Sequence, residues 1–309
     1  MQAPQEKPIV KEAILKTLQY FHYFKHPLYP EEIFRFLGTD ISIKVLLSLL
    51  GEMVADGLIH THRNYYMLLN DETLVDRREE GAWRAQQLMT KAYSSARLIA
   101  RFPFVKSVCI SGSLSKGYAN EKSDIDLFII TDEKRLWICR TFLHLFKKVT
   151  FLLGREHSFC MNYFIDESRL HIEEQNIFTA TELATLLPVY NKATHGELIS
   201  ANKCWLVKTF PNACWDDKTP CVAEDHNSFM RSIAEGLLNV LMPRQVNLLL
   251  MKLTDSWWRY KWNRRNYPMH EYDLAMKTKW YVSKNHPLNY QKKVLKEMKF
   301  QPAQLAPAT

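Results

Sequence analysis

One run of sequence constrains this chain more than any other. Val108-Cys109-Ile110-Ser111-Gly112-Ser113 leads through a polar stretch to Ser123-Asp124-Ile125-Asp126-Leu127-Phe128-Ile129-Ile130. An apolar segment, a tight Gly-Ser turn, a polar loop and a second apolar segment follow in that order, which predicts two strands joined through the loop. Side chains alternate along a strand, so Asp124 and Asp126 share one face while Ile125 and Leu127 point into the core on the other. Two carboxylates side by side repel each other unless a cation lies between them. Hard divalent ions held by carboxylates and by a substrate's phosphates answer that repulsion in phosphoryl-transfer chemistry. Gly112 lacks a Cβ, so the backbone there can come close to a ligand.

At these residues the chain resembles the DNA polymerase β-like nucleotidyltransferases. Their shared pattern is an apolar strand ending in Gly-Ser or Gly-Gly, a spacer, then Asp-apolar-Asp-apolar. Gly112, Ser113, Asp124 and Asp126 match it, with ten residues between Ser113 and Asp124. The resemblance covers residues 100–170 and implies an α+β fold whose core is a mixed sheet flanked by helices. It implies transfer of a nucleoside monophosphate from a nucleoside triphosphate such as ATP to an acceptor, with release of pyrophosphate. Catalytic and metal-ligating roles fall on Asp124 and Asp126, and a third carboxylate is expected on a later strand. Asp166 is the candidate for it. Asn162, four residues earlier on the same expected face, is the rival occupant, and Glu173 and Glu174 are outside candidates. Gly112, Ser113 and Lys116 are the expected nucleotide-binding residues, with Ser111 and Ser115 beside them. Two Mg²⁺ ions are the implied cofactors, with Mn²⁺ as a substitute. The acceptor stays open among a protein side chain, a small hydroxylated molecule and an RNA end.

Around this core the periodicity predicts two further parts. Residues 1–72 read as three helices and a hairpin with its tip at Arg63-Asn64, an order that looks like a winged helix. Thr39 or Asp40 is the expected cap of the third helix. Residues 73–178 hold the core, beginning with a long helix over 72–100 in which Trp83 faces inward. A helix over Leu136–Leu153 follows, then a third strand over His157–Ile165. Residues 179–309 read as a basic, mostly helical domain. Here Leu253, Trp258 and Trp262 lie at helical spacing, and bases interleave with aromatics from Trp257 to Tyr267. That interleaving suits stacking on nucleobases and pairing with phosphates; the plainer reading is a helix with a buried aromatic side and a solvated basic side.

Charge is unevenly placed. Arg244 to Lys299 carries 13 Lys and Arg against four acids, which accounts for the whole net charge of +8. The third helix offers only Lys44 as a base, too little to neutralise phosphates or read base edges, so DNA is a weakly supported partner there. The longest apolar stretch, Leu136 to Leu153, is broken by Arg140, His144, Lys147 and Lys148, so no membrane span is expected. Six cysteines without a CxxC pair, among them Cys221, fit a reducing cytoplasm and no structural zinc. Two rivals to an enzyme remain: a nucleotide-sensing DNA-binding regulator, and an antitoxin-like protein using an inactive transferase fold for partner contact.

Overall fold

The computed structural model describes residues 7–152, 160–215 and 229–299. The start of the third expected strand, His157 to Phe159, and Cys221 lie outside them. The chain opens with three helices, α1 (Lys7–His22), α2 (Pro30–Arg35) and α3 (Ile43–Ala55), then the strands β1 (His60–His62) and β2 (Tyr65–Met67). The two strands pair antiparallel about a tip at Arg63 and Asn64, both in the left-handed region. Ser42, not Thr39 or Asp40, caps α3: its side chain accepts from the Val45 amide.

Helix α4 (Thr73–Ala100) crosses from this module to the sheet. It buries Ala85, Ala92, Ala96 and Ile99, but Trp83 is 61% exposed and turns away from the core. Then come β3 (Val105–Ile110), β4 (Asp126–Thr131), α5 (Leu136–Leu152), β5 (Cys160–Asp166), α6 (Ile177–Ala184), β6 (Leu187–Tyr190) and α7 (Lys192–Thr209). Helices α8 (Phe229–Leu241), α9 (Arg244–Asn263) and α10 (Tyr272–Ala275) follow, and the described chain closes with β7 (Met276–Lys279), β8 (Val282–Asn285) and α11 (Tyr290–Glu297).

Six strands form one mixed sheet in the order β6-β3-β4-β5-β8-β7. Only β4 and β5 run parallel, and α5 supplies the crossover that such a pair needs. Strands β6, β7 and β8 all lie beyond residue 178, so the sheet crosses the boundary expected there. Their short lengths, four residues each, leave too few alternations for the sequence pattern to separate them from neighbouring helices.

Both sheet faces are covered. Leu127, Ile129 and Phe164 join the α4–α5 side, with Trp137 and Leu143. Phe128, Ile130 and Ile165 join a larger cluster that also contains Ile14, Leu46, Leu50 and Leu206. The N-terminal helices therefore share a continuous core with α6, α7 and the sheet, and do not sit apart as a tethered module.

Candidate active site

The turn after β3 and the start of β4 are built into one another. The Ser111 amide donates to the Asp126 carbonyl at 2.9 Å. Gly112 takes φ +68°, and a Cβ placed on it would stand 2.3 Å from Oδ2 of Asp126. Only glycine fits: any other residue would meet both a disfavoured backbone region and the carboxylate itself. The following 3-10 turn, Leu114–Lys116, closes on Gly117 in the left-handed region. Ser113 opens this turn, is exposed, and makes no side-chain cap bond.

Helix α4 and the N-terminal module brace this loop from behind. The buried guanidinium of Arg78 donates to the Lys116 carbonyl at 3.3 Å, to the Gly117 carbonyl at 3.1 Å and to Glu32 of α2 at 2.9 Å. Tyr118 lies so close to Gly81 that a Cβ there would stand 2.2 Å from its ring. Lys116 turns back into the structure. Its ammonium donates to the Gly112 carbonyl at 3.0 Å and pairs with Glu182 at 2.9 Å, so it does not extend into open cleft.

Asp126 is half-buried, and its carboxyl is pushed up to about 6. Burial is the main cause. The Cys160 thiol and Lys116 pull it down, while the charges of Glu182 and Asp124 push it further up. Asp124 lies in the loop just before β4, and its charge is felt at Asp126.

The third expected ligand is not brought to this place. In the parallel register Asp126 lies opposite Cys160, while Asp166 lies opposite Thr131 at the far end of both strands. Five residues of strand, roughly 16 Å, separate them. Asp166 is fully buried and works as a local cap, accepting from the amides of Lys134 at 2.6 Å and Ser168 at 3.1 Å. Beside Asp126 stands Asn162, whose Nδ2 donates to Asp126 Oδ1 at 3.1 Å and to Cys160 Sγ at 3.1 Å. Glu173 is engaged elsewhere: Lys277, Tyr281 and Lys279 hold its carboxyl down to about 2. Glu174 pairs with Lys277 at 3.0 Å.

A register shift explains why alternation misjudged this strand. Leu127 pairs with Met161 and Phe128 with Tyr163, leaving Asn162 as the extra residue of a bulge. A bulge re-aims the side chains on either side of it. Met161 and Phe164 consequently join one core cluster while Ile165 joins the other, with Tyr163 packed against the latter.

Among the described residues no three His, Cys, Asp or Glu side chains converge on a common ion position. The donors present are two carboxylates with an open phosphate-type loop beside them. That set fits one hard divalent ion completed by substrate phosphate oxygens, the usual economy of Mg²⁺ sites. It does not fit a second, independently held ion.

Residues 95–180 match the nucleotidyltransferase domain family. No curated protein and no solved structure gave a match.

Proposed function

We infer, for a chain that carries a nucleotidyltransferase domain, that it binds a nucleoside triphosphate between the Gly112–Ser113 turn and the Asp124/Asp126 pair and transfers its nucleoside monophosphate. One observation carries this reading. Gly112 is packed so closely on Asp126 that the phosphate-type loop and the acidic pair form a single constellation. A triphosphate lying on the loop amides would come up against the Asp126 carboxylate, with Asp124 two residues before it.

The roles follow from placement. Gly112 lets the backbone approach the outer phosphates, and the exposed Ser113 hydroxyl is a donor to them. Lys116 and Arg78 hold the loop's shape from behind. A divalent ion bound by Asp124, Asp126 and the phosphates would neutralise charge developing on the leaving group. An acceptor oxygen attacks the α-phosphorus, the bond from that phosphorus to the bridging oxygen breaks, and its electron pair leaves on pyrophosphate. The acceptor's proton passes to water. Positioning accounts for most of what the protein contributes to such a step.

Asn162 favours a second reading, in which nucleotide is bound without turnover. An amide beside Asp126 supplies no negative charge for a second ion. One experiment separates the two readings. The protein is incubated with each α-labelled nucleoside triphosphate, Mg²⁺ or Mn²⁺ and a panel of acceptors that includes oligonucleotides. Label moved onto an acceptor supports transfer. Tight binding with label recovered only as triphosphate supports the sensor. Absence of any binding overturns both.

A further inference from the structure

The end of α9 carries a second constellation, outside residues 95–180. Trp257, Tyr260, Lys261, Arg264 and Arg265 line an open cavity of about 350 Å³. Trp257 is 58% exposed and Tyr260 61%. Cations lie against rings throughout: Lys261 Nζ is 5.3 Å from the Trp257 centroid and 5.1 Å from that of Trp262. Arg264 is 5.7 Å from Tyr260, and Arg265 is 5.6 Å from Trp262. The ion pairs among the described residues include none of these three cations, although nearby Arg259 is paired with Asp255 and Asp273.

Topology places this cluster at the catalytic end of the molecule. Strand β4 leaves the site at Asp126 and α5 returns, so Lys147 and Lys148 on its last turns lie back toward that end. Helix α9 starts beside the far end of α5, where Asn247 accepts from the amides of Trp137 and Ile138. It passes Arg140, whose guanidinium lies over Trp258 at 4.6 Å, and ends beyond. The intervening groups are close enough to act on one another. Burial, then Arg140, Lys147, Lys148 and Lys261, drive His144 down to about 3. Lys147 in turn acts on Cys160, which also senses Asp126 and Asp124. Lys147 and Lys148 of α5 and Lys261 of α9 thus all bear on His144, between the Cys160 side of the sheet and the rings on α9.

We propose that these cations and rings form a binding track for single-stranded nucleic acid, with bases stacking on Trp257 and Tyr260 and phosphates meeting Lys147, Lys148, Lys261, Arg264 and Arg265. Exposed flat rings suit unpaired bases, whose π-faces are hidden in a duplex, and cations with no carboxylate partner among the described residues suit a phosphate backbone, although Arg264 also donates to the Tyr260 hydroxyl at 3.2 Å. As the path of the acceptor, the track rests on the transferase reading above; as a binding site it does not.

The test uses the whole protein without nucleotide or metal, and 3′-blocked, labelled U12 and dT12 read by anisotropy and tryptophan fluorescence. Both strands should bind at low salt, with quenching. Affinity should fall with salt at a slope of about −2 or steeper, since each phosphate contact to a single strand contributes about −0.7. Trp257→Ala should weaken binding about tenfold, the scale of one lost base stack, while Trp257→Phe stays near wild type. A preference for RNA or for DNA would name the acceptor's sugar. Absence of binding at low salt, equal affinity in all variants, equal affinity for duplex, or displacement by base-free polyphosphate without quenching would each overturn the proposal. So would Trp257-dependent sedimentation with anionic phosphatidylglycerol vesicles in place of oligonucleotide binding. Binding without label transfer would leave the track standing and remove the transferase. Transfer to a small acceptor without oligonucleotide binding would do the reverse.

Discussion

Two regions of this chain carry bases where nucleic acid is a natural thought, and they differ in what their charges already touch. In the N-terminal module Arg63, at the hairpin tip, pairs with Asp76 and Glu79 of α4. Lys7 and Lys11 pair with Glu52 and Asp56 at the end of α3. The outer face of α3 presents Ile43, Lys44, Leu47, Ser48 and Gly51, a nearly uncharged surface. At the end of α9, by contrast, Lys261, Arg264 and Arg265 face rings and have no carboxylate among the described ion pairs. A paired exposed cation contributes little to a new partner, because the internal pair must be given up first. The comparison teaches that the helix-and-hairpin order that resembles a winged helix and the cations without a carboxylate partner among the described residues sit at different places in this molecule. The N-terminal module instead helps to brace the Gly112–Gly117 loop, through Glu32 of α2 and its partner Arg78 of α4.

The largest expected effect comes from reversing the unpaired set. Lys261→Glu, Arg264→Glu and Arg265→Glu together should cost at least about a hundredfold in single-strand affinity, three charge-assisted contacts at about 1 kcal/mol or more each. Anisotropy titration measures it, and a loss under threefold would break the comparison. Next is the brace. Arg78→Met removes the donor to Glu32 Oε1, which leaves that carboxylate only the Tyr29 amide, and the donor to two loop carbonyls, and should lower stability by about 2 kcal/mol. Triphosphate affinity should fall with it while oligonucleotide affinity holds; thermal unfolding and paired titrations check this.

Asp126→Asn should act in the opposite direction on stability. The folded-state carboxyl is raised to about 6 from 3.8, chiefly by burial. The folded state therefore prefers the proton: the associated stability is complete below pH 3.8 and is lost as pH rises through about 6. At pH 7.5 the neutral amide should stabilise the protein by on the order of 1–2 kcal/mol after allowance for partial exposure. Near pH 4 the gain should vanish, which denaturant titrations at the two pH values will show. The smallest effect belongs to the hairpin: Arg63→Glu should change oligonucleotide affinity less than twofold. A tenfold loss there would return nucleic-acid binding to the N-terminal module.

The legible part of this molecule was local. The Gly112–Ser113 turn, the flanking strands and Asp124/Asp126 lie within one short stretch, where period and turn chemistry decide the structure. What stayed hidden depends on long-range register. Alternation put Asn162 and Asp166 on one face, and only the register decides between them: Cys160 lies opposite Asp126, which brings Asn162 near and leaves Asp166 at the far end of the strand. Glu182 comes from α6, 56 residues from Asp126 in sequence, and no motif surrounds it. The core role of Trp258, 5% exposed, followed from helical spacing, but Leu253 on the same expected face is 58% exposed. The outward turn of Trp83 had no local signal either; it follows from which side of α4 meets the sheet.

The account stands or falls on the triphosphate lying between the glycine turn and the paired carboxylates. Calorimetric titration of ATP and the other triphosphates with Mg²⁺ into the wild type and the Asp124→Ala/Asp126→Ala variant tests this directly. It predicts that the wild type binds at least one triphosphate, and that the folded variant loses at least about a hundredfold in affinity, two charge-assisted interactions at about 1.5 kcal/mol each. Equal affinity in both proteins, or no triphosphate binding by the wild type, would contradict it.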